Sequence, residues 1–234
     1  MDQGHREGIV AERCALGFGL ARALALGTCL IGCASAADEP ATDPHAALPY
    51  ARSVESFTPG ASAGYNEDKL PTVVLGPPLG KGTGAGSLDV VSLGRGGEIV
   101  VGFGQRTIAD GPGADFVVFE NAFWPGDDAT QVYAELGEVS VSDDGETWLS
   151  FACDTTGDAA GHFPGCAGFS PTLSYDPVEL VPLEPERTGG DAFDLADVGL
   201  SHARFVKIRD LETLDAAGIS GGFDLDAVGI VNAE

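Results

Sequence analysis

From about residue 50 onward, apolar residues come in short runs, each cut by Gly, Pro, Asp or Ser. The clearest run is V-S-V-S-D-D-G-E-T-W, from Val139 to Trp148. Val139 and Val141 alternate with Ser140 and Ser142, which is the period of a half-buried strand. Asp144-Gly145 is expected to supply the positive φ values of a tight hairpin turn. Thr147, Trp148 and Phe151 then begin the return strand, with Trp148 expected in the core. The same reading predicts strands over Ser53–Phe57, Thr72–Leu75, Leu88–Leu93, Glu98–Phe103, Asp115–Glu120, Leu136–Ser142, Thr147–Phe151, Val178–Val181, Ala203–Arg209 and Phe223–Val231. Asp191–Leu200 is expected to hold a helical turn, and no long amphipathic helix is predicted. Many short strands with Gly/Pro turns predict an all-β, antiparallel β-sandwich of jelly-roll type over residues 50–234. F-D-L-A-D-V-G-L at Phe193 and F-D-L-D-A-V-G-I at Phe223 form one near-repeat, too few copies for a solenoid.

The N-terminal part has another character. Arg6, Arg13 and Arg22 precede an apolar run from Ala23 to Ile31, too short to span a bilayer as a helix. This is the layout of a secretory signal. The run ends Leu30-Ile31-Gly32-Cys33, which resembles the lipobox of bacterial lipoproteins. That resemblance implies cleavage before Cys33 and its acylation, so that residues 1–33 are a signal peptide. An ordinary signal cleaved near Ala37 is the alternative. Residues 34–49, rich in Ala, Pro and Asp, read as a flexible tether. The expected address is the outer membrane or cell surface, with the membrane touched only through the lipid.

Once Cys14 and Cys29 leave with the signal and Cys33 is acylated, Cys153 and Cys166 remain. They are either two buried thiols or a disulfide. The Gly-rich polar loop between them is a poor place to bury thiols, so the disulfide is expected, worth about 3 kcal/mol for a loop this short.

Asp and Glu number 36 against 12 Lys and Arg, for a net charge of −24. Residues 1–33 carry three of each sign, so the excess lies in the part expected to be exported. Such a balance argues against nucleic-acid binding, which needs a positive footprint. It fits either a soluble, self-repelling surface or carboxylates gathered around Ca²⁺.

Three pieces in order resemble the discoidin or galactose-binding-like domain: V-S-V-S-D-D-G-E-T-W at Val139, A-R-F-V-K-I-R at Ala203 and G-F-D-L-D-A-V-G-I at Gly222. Adding S-L-G-R-G-G-E-I-V-V-G-F at Ser92 and G-P-G-A-D-F-V-V-F-E-N-A-F at Gly111, the pattern over residues 50–232 is similar to a group of bacterial secreted cell-surface proteins. The resemblance implies a jelly roll and a surface address. It also implies a structural Ca²⁺ where a rim loop meets a terminal strand.

Glu120 and Asn121 end an apolar run at the expected sandwich rim. Asp224 and Asp226 lie two residues apart, which in a regular strand projects both side chains to one face. Together the four form a candidate oxygen-ligand set for Ca²⁺. Trp124, in the polar stretch before Pro125-Gly126-Asp127-Asp128, can stack on a sugar or fold back as a lid on the core. Arg106 and Arg209 are scarce cations that can pair a ligand carboxylate or a local acid. The Gly76–Gly86 stretch lacks the G-x-x-x-x-G-K-[ST] order of a phosphate loop and reads as a flexible connection. No G-x-S-x-G elbow occurs, and His162 and His202 have no evident nucleophile partner. The S-D-D-G-E-T-W hairpin is similar to the Asp-box of sialidase propellers, but it is one residue shorter and occurs once. The expected function is non-catalytic binding of a glycan or a surface protein. A glycan hydrolase or lyase using acidic residues and a purely structural envelope lipoprotein are the alternatives.

Overall fold

The computed structural model describes residues 48–157, 162–177, 180, 182–214, 218 and 221–234. The signal, the lipobox cysteine and most of the tether lie outside the described residues, as do Val178, Glu179 and Val181 of one expected strand. Strands in chain order are β1 (Ser53–Thr58), β2 (Val91–Ser92), β3 (Glu98–Gly102), β4 (Ile108–Ala109), β5 (Phe116–Glu120), β6 (Gly137–Ser142), β7 (Leu149–Ser150), β8 (Cys166–Ala167), β9 (Asp191–Phe193), β10 (His202–Ala203), β11 (Phe205–Asp210) and β12 (Asp224–Ile230). All pair antiparallel. One sheet runs β1-β3-β11-β6-β7 with β8 also on β6, another runs β2-β12-β5-β9, and β10-β4 form a short ribbon.

Period-2 alternation explains which faces meet. Ile99 and Val101 of β3, Val139 and Val141 of β6, and Val206 and Ile208 of β11 all enter one buried cluster. Phe116 and Val118 of β5, with Leu225, Val228 and Ile230 of β12, enter the same cluster from the other sheet. Two sheets thus enclose one core, the all-β sandwich predicted from the runs. Phe116, Phe151 and Phe193 meet at its centre, with Phe116–Phe193 centroids 5.1 Å apart and Phe151–Phe193 4.9 Å apart. The other face of β5 is also covered. Val117, Phe119 and Ala227 pack with Leu48, Tyr50 and Leu183 in a second cluster. Burial on both faces is why F-V-V-F reads as an unbroken apolar run. Leu48 and Pro49, placed in the tether by the sequence reading, belong to this covering, and the Ile230 amide donates to the Pro49 carbonyl at 2.6 Å.

Several local expectations change. Thr72–Val74 forms a 3-10 turn instead of a strand, entered through Pro71, and both Val73 and Val74 are buried. Consecutive burial is something a one-faced strand cannot give. Leu88–Leu93 contracts to β2, because Asn66 Nδ2 takes the Leu88 and Val90 carbonyls at 3.1 and 2.8 Å and so replaces strand partners. Ala203–Arg209 divides, β10 pairing with β4 and β11 with β3 and β6. Asp191–Leu200 does hold the expected helical turn, a 3-10 turn over Leu195–Val198 capped by Asp194, but strand β9 precedes it. The two near-repeats therefore take different structures.

The β6–β7 hairpin exists, but its ladder stops at Val141↔Leu149. Gly145 alone of Asp144-Gly145 has positive φ, at 77°. Asp144 shapes the turn through its side chain, accepting from the amides of Glu146 and Thr147 at 2.8 and 2.7 Å. Those bonds pull its carboxyl down to about 2. Trp148 is not in the core. It lies half-buried on the outer face of the sheet, where the Lys207 ammonium sits 4.5 Å from its ring centre.

The Gly76–Gly86 stretch is a tied strap. The Leu79 amide donates to both Asp226 oxygens at 3.1 and 3.2 Å. The Gly82 amide reaches the Thr172 carbonyl, and the Thr83 carbonyl accepts from the Trp124 amide at 2.7 Å. A side chain at Gly80 would place its Cβ 2.4 Å from Thr172, and one at Gly86 would lie 2.5 Å from the Asn121 carbonyl. These glycines serve close approach of one chain segment to another.

Removing the central ring tests this packing. Phe116→Ala should cost about 3–5 kcal/mol, as deletion of a buried aromatic does. In urea unfolding, the midpoint should drop with little change in slope. A midpoint within error of the parent would mean that the three rings do not share one core.

Candidate functional site

Counting back along the strands places two acids where alternation calls for apolar residues. Phe116 and Val118 face the core, and Glu120 continues their parity to the end of β5. Val139 and Val141 face the core, Gly137 lies against the Phe223 ring, and Glu135 continues that parity ahead of β6. β12 begins with Asp224, in register beside the Leu225↔Glu120 pair. Three carboxylates therefore meet at one rim of the sandwich. Glu120, Glu135 and Asp224 are 1%, 3% and 7% exposed, and each brings an oxygen within 4.8 Å of the others.

Their partners are few. The Asp224 amide donates weakly to Glu120 Oε1 at 3.4 Å. The Ser92 hydroxyl donates to Asp224 Oδ1, and Asn121 Nδ2 donates to Asp224 Oδ2 at 3.0 Å. Glu120 Oε2 and Glu135 Oε1 are buried with no hydrogen-bond partner among the described residues. Unit charges 4.8 Å apart repel by about 3.5 kcal/mol per pair at an effective dielectric of 20. Three such pairs approach the roughly 5–15 kcal/mol total stability of a domain. The cluster thus needs either protons or a cation. Without a cation, burial first and then the Asp224 charge push the Glu120 carboxyl well above its ordinary range. The same two causes raise Glu135 to about 8. Burial also raises Asp224, against the bonds from Ser92 and Asn121.

The donor set fits a hard divalent cation. All three donors are carboxylates, two oxygens lack any other partner among the described residues, and no soft ligand is present in the group. Oxygens on opposite sides of one Ca²⁺ stand about 4.6–5.2 Å apart, twice the metal–oxygen distance. The observed spacing lies inside that limit.

Above the carboxylates is a groove of about 410 Å³, with Glu135 and Asp224 at its floor. Tyr65, Ser87, Leu88, Asn121, Phe123 and Tyr133 line it. Phe123 and Tyr133 stack with centroids 5.2 Å apart, and their backbones form a bridge that closes the loop between them. Tyr133 and Glu135 are two residues apart, so one stretch of backbone supplies both wall and floor. β8 braces that stretch through Gly137↔Ala167 and Glu138↔Cys166, and the Cys153–Cys166 disulfide expected from the sequence ties β8 down.

The residues singled out in sequence separate here. Glu120, Asn121 and Asp224 come together, although Asn121 turns its amide nitrogen, not its oxygen, toward Asp224 and the Ser87 carbonyl. Asp226 is not part of the cluster. A bulge in β12 between Leu225 and Ala227 redirects it to the Leu79 amide, and burial raises its carboxyl to about 7. Arg106 Nη1 donates to the Leu48 carbonyl at 2.6 Å, and Arg209 pairs with Glu138 at 3.2 Å. Neither lines the groove. Half-buried Trp124 borders a separate hollow of about 400 Å³ with Thr130, Val132, His162 and Phe169. Glu135 was missed in the sequence, and the signal that finds it is parity: extending the Val139–Val141 alternation back by two steps puts an acid on the inward side. Asp110, Asp115 and Asp194 also approach one another, but buried Asp115 is already satisfied by Gly111, Leu195 and Asn232.

The raised carboxyls set the pH response of cation-free protein. Unfolded carboxyls titrate near 4.3, while Glu120 and Glu135 hold their protons to much higher pH in the fold. The folded state binds more protons. Its stability from these groups is therefore complete below the unfolded value and lost as pH rises through about 8. In chelator, the melting temperature should fall between about pH 5 and about pH 8.5, and Glu135→Gln should flatten part of that fall. Parallel profiles for parent and variant would refute this origin.

No protein-family model matches the chain, and no curated protein shows significant similarity to it.

Proposed function

We propose that this protein is an exported lipoprotein, anchored at the outer membrane or cell surface through acylated Cys33, whose jelly-roll domain of galactose-binding-like type is a non-catalytic binding module. Its rim holds Ca²⁺ through Glu120, Glu135 and Asp224, and the groove above them receives a glycan or a surface protein. The observation that carries this reading is the pair of orphaned buried oxygens beneath an aromatic-walled groove. The bound ion would offset the repulsion of the carboxylates and fix the end of β12 against β5. The lipid anchor is supported by Leu30-Ile31-Gly32-Cys33 after an apolar run.

A glycan hydrolase reading draws on the same carboxyls, since a general acid needs a raised pKa. It is the weaker reading here. A glycosidic bond must contact both working carboxyls, and Glu120 at 1% exposure lies under its neighbours.

Two measurements test the proposal. At a hundredfold excess over Kd, Ca²⁺ should add about 2.7 kcal/mol, or roughly 5–10 °C of melting temperature for a domain near this size. Glu135→Gln and Asp224→Asn should lose that shift, whereas Asp226→Asn should keep it. NaCl at matched ionic strength should not reproduce it, because salt screens exposed charge and these carboxylates are buried. No difference between Ca²⁺ and NaCl would remove the ion from the proposal. Mass spectrometry of the mature N-terminus should find acylated Cys33, and Cys33→Ser should release soluble protein. An unmodified terminus elsewhere would remove the anchor.

A further inference from the structure

Glu120, Glu135 and Asp224 are not the whole of a calcium shell. Ca²⁺ takes six to eight oxygens. Of the neutral side chains bonded to Asp224, Ser92 donates its hydroxyl to Oδ1 and Asn121 points its nitrogen at Oδ2. The open side of the cluster is the groove, because Glu135 and Asp224 form part of its lining while Glu120 lies behind them. Whatever fills the groove can therefore supply the remaining oxygens.

The walls limit what that is. Tyr133, stacked on Phe123, is 39% exposed and offers a ring surface beside the floor. Tyr65 is oriented on the opposite segment by its hydroxyl bond to the Leu88 carbonyl at 3.2 Å. A ligand that fits must present paired oxygens downward and apolar C–H groups sideways. Charge narrows the choice further. Three carboxylates and one divalent cation leave a net negative site, in a chain of net charge −24. An acidic peptide or uronic acid would be repelled, and a cationic group would compete with the ion for the same oxygens.

We infer that the groove binds a neutral saccharide, whose vicinal hydroxyl pair completes the coordination of the Ca²⁺ held by Glu120, Glu135 and Asp224 while its C–H face lies on Tyr133. This inference rests on the calcium reading above and names the ligand class for the same site.

The test uses the mature protein on an array of immobilised glycans spanning neutral hexoses, deoxyhexoses, N-acetylhexosamines, uronates and sialic acid, in about 1 mM Ca²⁺ and again in chelator. Retention is expected on one or more neutral glycans, with loss in chelator. Tyr133→Ala should weaken retention roughly tenfold and keep the calcium-dependent melting shift, because the ring is not a ligand of the ion. Tyr133→Phe should restore retention. Glu135→Gln should lose both retention and melting shift. A melting shift without retention on any neutral glycan overturns the saccharide inference and leaves the calcium reading intact. Retention that survives chelator, prefers acidic glycans, or is unchanged in Tyr133→Ala overturns it as well. Absence of the melting shift in the parent protein overturns the calcium reading itself.

Discussion

The pairing of β5 with β12 is the constraint on which the rest of the structure depends. These two strands lie in the middle of a sheet that is covered on both faces, by the second sheet on one side and by the Leu48–Tyr50 segment with Leu183 on the other. Such strands have no solvent face on which to place a polar residue. An acid within them needs its own partner, as Asp226 has in the Leu79 amide at the bulge; the other two sit at strand ends. Glu120 ends β5 and Asp224 begins β12, and the antiparallel register brings those two ends to the same rim. The site follows from hydrophobic burial before any question of ligand arises.

Burial also explains why the rim is chemically unusual. Most of the acidic excess is spread over surface where water and salt screen it. At the rim, desolvation and mutual repulsion act together, and hydrogen bonds satisfy only part of the lone-pair capacity. The hydroxyl of Ser92 and the amide of Asn121 both serve Asp224, leaving one oxygen each of Glu120 and Glu135 without a partner among the described residues. A network satisfied at one member and open at two others is unfavourable by itself. The fold holds it in place because β8 and the disulfide brace Glu135 from one side and the β5–β12 ladder fixes the other two.

The fold class was legible because period-2 runs survive in short strands, and Val139–Ser142 and Phe205–Asp210 needed no partner to be recognised. The disulfide followed from which cysteines remained. What could not be read was any feature that one side chain imposes on a distant backbone. Asn66 holds Leu88 and Val90 out of a strand from more than twenty positions away, and Thr72–Val74 coils although its residues favour sheet. As an aromatic at the start of the return strand Trp148 is expected in the core, whereas the longer loop after Val141 lays it across Lys207 on the outside. The site was half legible. Glu120 and Asp224 stood out as acids at run ends, but a bulge displaces Asp226 and only three-dimensional convergence recruits Glu135.

The strap at Gly76–Gly86 changes where this chain tolerates being altered. By composition it is the obvious place to splice in an epitope or a fluorescent label, since glycine and proline usually mark slack. Yet Gly80 and Gly86 are contact points, the Leu79 amide is spoken for by Asp226, and the far end backs the Asn121 wall of the groove. The turn at Asp143–Thr147 is the better address for inserted sequence. It is exposed throughout, and Asp144 organises it from within the turn itself. At Gly80 and Gly86 glycine marks how closely two segments touch, and the freedom to grow lies in an acidic hairpin that composition would have passed over.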